Sequence, residues 1–112
     1  MSEFFDTTKQ EEEVLKENKL EERKDNDLKK VLSFVEGRRL LFEILARAGI
    51  FKSSFTGNST TFYLEGARSQ GLHLLEHILR VAPDKFMQML QENYSEMKSL
   101  EKKTEDKNAR TN

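Results

Sequence analysis

The 112-residue chain has no cysteine, no tryptophan, one proline and five glycines. Without thiols it can build neither a disulfide framework nor a thiolate metal site, which fits a reducing compartment, with the cytoplasm as the default. Net charge is nearly absent as well. Lys and Arg total 19 against 20 Asp and Glu, so no overall field draws the chain to nucleic acid or an anionic membrane, and such binding would need a local patch. No apolar run approaches the roughly 20 residues needed to cross a bilayer. The N-terminus, MSEFFDTTKQEEE, lacks the cationic start and apolar run of a signal peptide. These absences point to one soluble domain with no membrane role.

Charge is concentrated at the two ends. Residues 1–24 form a charged extension, rich in helix formers but with only Val14, Leu15 and Leu20 to bury, so a helix there relies on side-chain pairs. Residues 25–103 carry the apolar periodicity of a folded domain. Residues 104–112, TEDKNARTN, cannot bury enough surface to offset their ordering entropy and are expected to be disordered.

Within the domain three helical stripes are legible. From Asp25, the residues Leu28, Val31, Leu32, Val35, Phe42, Leu45 and Ala46 share one side of a helical wheel. Gly49 follows Ala48 where a left-handed terminating residue belongs, so the first core helix is expected over 25–48. Asn58, Ser59 and Thr60 offer N-caps for a second helix over 60–82, with Leu64, Ala67, Gly71, Leu74, Leu75, Ile78 and Leu79 on one face. Ala67 and Gly71, four apart, allow close approach of the first helix in an antiparallel hairpin. Pro83 ends that pattern and opens a third helix, where Asp84 suits the positive end of the dipole. Its stripe is Phe86, Met87, Leu90, Tyr94, Met97 and Leu100. The expected fold is all-α, a small three-helix core made of a helical hairpin plus a C-terminal helix, with a charged N-terminal helix and a disordered tail.

Three constellations bear on function. His73-Leu74-Leu75-Glu76-His77 reads H-x-x-E-H, the zinc pattern of inverted zinc peptidases. These side chains lie opposite the Leu75–Ile78 stripe, and only 35 residues follow to supply a third ligand and a cleft, so a solvated polar face is the better reading. Phe34-Val35-Glu36-Gly37-Arg38-Arg39 is echoed by Tyr63-Leu64-Glu65-Gly66-Ala67-Arg68. On the wheel Arg39 falls inside the apolar arc and Arg68 at the edge of its own, so both are expected to pack their stems and pair with Glu36 or Glu65. Arg38, Arg39, Arg47, Lys52, Arg68 and Arg80 form a basic set too small to favour nucleic acid, and no helix-turn-helix spacing accompanies it.

The loop GIFKSSFTGNSTT, residues 49–61, is richer than a connector requires. Phe51, next to Ile50, is expected to fold inward as a cap, with Gly57 supplying a positive φ. Phe55 is expected to stay outside as an anchor for another protein, with Lys52, Ser53, Ser54 and Asn58 as its polar rim.

The run Gly37-Arg38-Arg39, then Gly49-Ile50-Phe51-Lys52-Ser53-Ser54-Phe55-Thr56-Gly57-Asn58-Ser59, Thr61-Phe62, Glu65-Gly66-Ala67-Arg68 and Gly71-Leu72 resembles a family of small bacteriophage proteins. The likeness covers about residues 34–92. It implies a short helical protein encoded among head and DNA-packaging genes of podovirus-type phages, with no catalytic or cofactor residues to carry over. The expectation is a non-enzymatic protein that needs no cofactor. It would contact phage structural or assembly proteins in the host cytoplasm or the virion. The alternative is an early regulatory protein that binds a host protein or nucleic acid.

Overall fold

The computed structural model describes the backbone of residues 2–52, 57–58 and 60–111, and the side chains of 8–52, 57–58 and 60–109. Four helices account for nearly all of it: α1 (Ser2–Leu32), α2 (Val35–Arg47), α3 (Thr60–Val81) and α4 (Pro83–Thr111). Their core is small. Leu28 and Leu32 of α1 meet Leu41 and Leu45 of α2, Ile78 of α3, Ala82 at the α3–α4 corner and Met89 of α4. Phe42, Ile50, Leu74, Leu75, Val81 and Phe86 pack around this cluster.

The first expected helix is in fact two. A single helix over 25–48 would place Leu41 about 140° around the wheel from Leu28, so the two could not enter one core. The chain resolves this by breaking at Ser33–Phe34. The Ser33 hydroxyl donates to the Lys30 carbonyl at 2.6 Å, giving that carbonyl a partner outside the helical ladder. Phe34 then turns to an extended conformation, φ −102° and ψ 142°, and α2 starts on a new phase with Arg38, Leu41 and Leu45 inward. Gly37 permits the close approach: a Cβ there would lie 2.8 Å from the Val31 carbonyl carbon and inside contact distance of its oxygen.

The other end of α2 follows the expectation. Gly49 has φ 81°, its amide donates to the Ala46 carbonyl at 3.0 Å, and the Ile50 amide donates to Leu45 at 3.4 Å. This paired closure turns Ile50 back onto the core beside Leu45. Gly71 is buried where α3 crosses this end, and a Cβ on it would stand 2.6 Å from the Ala48 Cβ and 2.7 Å from Ile50 Cγ2. The expected small-residue seam is therefore present, made by Gly71 with half-buried Ala67 beside it.

Helices α1 and α4 run well beyond the core. Residues 8–24 and 94–109 are exposed throughout, and the radius of gyration is 21.3 Å where a compact chain of this length has about 13 Å. The long axis, 87 Å, approaches the summed lengths of α1 and α4 at about 1.5 Å per residue, so the two arms leave the core in opposing directions. The tail expected to be disordered continues α4 as helix to Thr111, with the Thr104 hydroxyl donating to the Leu100 carbonyl. It contains neither glycine nor proline to stop it. The α4 stripe also departs from expectation: Met89 is its buried member, whereas Met87, Tyr94, Met97 and Leu100 are at least half exposed. Past Asn93 no other helix covers that face.

Candidate functional site

Two polar clasps fix how the helices meet. In the first, Arg38 of α2 is 7% exposed and reaches α1 and α4. Its Nη1 donates to the Leu32 carbonyl at 2.8 Å, capping the C-terminus of α1 at the break. Its Nε donates to both carboxylate oxygens of Glu92 on α4, at 2.8 and 3.2 Å, and Nη2 lies 2.8 Å from Glu92 Oε1. The sequence reading assigned the inward role to Arg39, but Arg39 is exposed because the break at Ser33–Phe34 rotates α2. Glu36 and Glu65 are exposed as well, and among the described residues no ion pair joins them to Arg39 or Arg68. Arg68 is half-buried, with its Nε covered and unpartnered.

In the second clasp Asp25 of α1 accepts from both terminal nitrogens of Arg80 on α3, each at 3.0 Å, and faces His77 Nε2 at 2.8 Å. The H-x-x-E-H face is thus not wholly solvated, as the wheel had implied. His77 is packed against α1, while His73 and Glu76 stay exposed with 4.0 Å between Nδ1 and Oε2. Among the described residues no group of three or more His, Asp or Glu side chains is placed to hold a metal ion.

The Arg80 guanidinium, and after it His77, holds the Asp25 carboxyl down from its usual 3.8 to about 2. A depressed folded-state pKa means that the clasp contributes fully above about pH 4 and is lost as pH falls toward 2. In urea unfolding titrations the wild type should lose stability across that interval. Asp25→Asn should be the less stable protein at pH 6 and show a flatter dependence between pH 4 and 2. Parallel pH profiles for the two proteins would exclude the clasp as a source of acid sensitivity.

The loop between α2 and α3 divides its roles differently from the expectation. Ile50 is the residue that turns inward; Phe51 stacks one face on Phe42, centroids 5.4 Å apart at 25°, and remains 49% exposed. Lys52 is exposed. Gly57 has φ 79° as expected, and Asn58 Oδ1 accepts from the Thr60 amide at 2.9 Å, so Asn58 helps to cap α3. Ser53, Ser54 and Phe55 lie outside the described residues.

The fold also leaves several large apolar side chains uncovered. Among the described residues, seven hydrophobic ones are buried and fifteen large ones are exposed, including Phe62 at 83% and Tyr63 at 76% on the first turn of α3. Phe34, Leu40 and Ile44 lie exposed at the start and on the outer side of α2. Between α2 and α4 a cleft of about 940 Å³ has Val35, Phe42 and Met89 in its walls and Arg39, Glu43 and Glu96 among its polar residues. The exposure of Phe62 and Tyr63 is legible in the sequence, since neither belongs to the Leu64–Leu79 stripe.

Comparison with family models gives a match to the Bbp19-like phage proteins over residues 28–91, more than half of the chain. Comparisons with curated proteins and with solved structures return no match. The matched segment opens at Leu28, the first buried apolar residue, and closes two residues past Met89, the last, so it spans the apolar core and leaves out both arms. This chain therefore belongs to the Bbp19-like phage protein family.

Proposed function

We propose that this bacteriophage protein is non-enzymatic and acts through protein contacts, in virion assembly or as a minor component of the particle, within the host cytoplasm during infection. The observation that supports this reading is the set of large apolar side chains left exposed among the described residues, with Phe62 at 83% and Tyr63 at 76%. Large exposed side chains such as Phe62, Tyr63, Phe34 and Leu40 are the raw material of protein interfaces. The partner that fits is a phage structural or assembly protein. Membership of a bacteriophage protein family is compatible with such a partner.

Mass spectrometry of purified virions, together with affinity capture from infected cells, tests the proposal. Peptides of this chain in the particle, or co-capture of portal or capsid subunits, is the expected result. Absence from both, with salt-dependent retention on DNA instead, would overturn it in favour of an early nucleic-acid-binding regulator.

A further inference from the structure

The free arm of α4 is a two-faced helix with nothing on its apolar face. Reading α4 in sevens, Leu90, Met97 and Thr104 fall at one seam position and Phe86, Asn93 and Leu100 at the other. In the first part of the helix this seam belongs to the core, where Phe86 packs and Leu90 is half-buried beside Met89. Beyond Asn93 the same seam runs into solvent: Met97 is 52% exposed, Leu100 50% and the flanking Tyr94 63%. Helix α1 offers no comparable partner within the chain, because its arm leaves the core in the other direction and places Glu17 and Glu21 on the continuation of its own inward face.

We propose that this arm pairs with the same arm of a second copy, antiparallel, about a two-fold axis between Met97 and Leu100. Charge selects the arrangement. The register that sets Met97 of one copy against Leu100 of the other also sets Glu96, on the rim, opposite Lys103 of the other copy. Their axial offset is about two residues, or about 3 Å. The two-fold repeats both contacts, so the pair has two Met97–Leu100 layers and two Glu96–Lys103 ion pairs. Asn93 then faces Thr104, a polar layer at each end that resists slippage to other registers. A parallel alignment would instead put Met97 on Met97 and Leu100 on Leu100. The overlap, residues 93–104, is about 18 Å long, so the dimer is weak and dissociates at low concentration. This inference is independent of the virion reading, since it concerns the purified chain alone.

Sedimentation equilibrium on the full chain, with two charge reversals, is the test. Wild type should dimerise with rising concentration, and Glu96→Lys and Lys103→Glu should each weaken the dimer by about tenfold or more, because each homodimer then carries two like-charge contacts. Mixing the two variants should restore dimer, since every rim pair in the mixed species is again opposite in sign. Both positions are exposed, and circular dichroism of the single variants checks that the helices persist. A second measurement fixes orientation in this cysteine-free chain: Met97→Cys and Leu100→Cys should oxidise to a mixed disulfide when combined. A wild type that stays monomeric up to millimolar concentration, reversals without effect, or disulfides only between identical variants would overturn the proposal.

Discussion

Replacing Arg38 with methionine is expected to lower unfolding stability by about 2–4 kcal/mol, read as a shift in urea midpoint at constant slope. The substitution keeps most of the buried stem but removes every donor. The Leu32 carbonyl at the end of α1 loses its cap, and Glu92 is left as a 30%-exposed carboxylate without its partner. Partial solvation of Glu92 keeps the cost below that of breaking a fully buried pair. Arg38→Lys should recover little, because one ammonium cannot serve a carbonyl of α1 and both oxygens of a carboxylate on α4 at once. Adding Glu92→Leu to Arg38→Met should recover part of the loss, since the cost lies largely in the charge left behind. Arg39→Ala is the control, within about 0.5 kcal/mol of wild type, as expected for an exposed side chain. Equal losses at 38 and 39 would show that the clasp is not what holds α1, α2 and α4 together.

That pair of neighbouring arginines shows where the sequence was legible and where it was not. Helix type and most boundaries followed from local signals: the terminating glycine at 49, the proline at 83, the cap candidates at 58–60. The seam at Gly71 followed from small residues on an apolar face. The break at Ser33–Phe34 has no glycine or proline in it, and the stripe from Leu28 to Val35 runs smoothly across it. A wheel carried through that point is rotated for every residue beyond, which is why Arg39 was placed inward and Arg38 and Leu41 were not. Gly37 is needed for the break, but its meaning depends on Val31 being close in space. Met89 was missed for a related reason. It sits at the edge of the α4 wheel and is buried because α2 lies on that side, as the Arg38–Glu92 contact shows.

The candidate surface was less legible than the fold. Asp25 was read as the start of a helix, and nothing local announces that it would meet His77 and Arg80 some fifty positions away. The H-x-x-E-H segment reads on a wheel as a solvated face, but His77 is bound to α1. Aromatic anchors were sought in the loop because loops usually carry function. Phe55 lies outside the described residues, and the described structure also exposes Phe62 and Tyr63 on the first turn of the helix after the loop.

The two glycines of the Glu-Gly-x-Arg echo should respond to alanine with opposite signs. Helix propensity alone gives one answer for both, since each lies within a helix and alanine is favoured there by about 1 kcal/mol. At Gly66 nothing lies within 4 Å of a new Cβ, so Gly66→Ala should stabilise by about 0.5–1 kcal/mol. At Gly37 the new methyl would meet the Val31 carbonyl and stand 2.9 Å from Val31 Cγ1. The obstacle is mostly backbone, so relief requires α1 and α2 to separate at the break, which also pulls Arg38 from the Leu32 carbonyl and from Glu92. Gly37→Ala should therefore cost about 3 kcal/mol or more, an overpacking at the upper end of the usual range. Chemical denaturation of the two single variants against wild type decides the matter. Stabilisation at both positions would mean that α1 continues into α2 without the close approach at Val31.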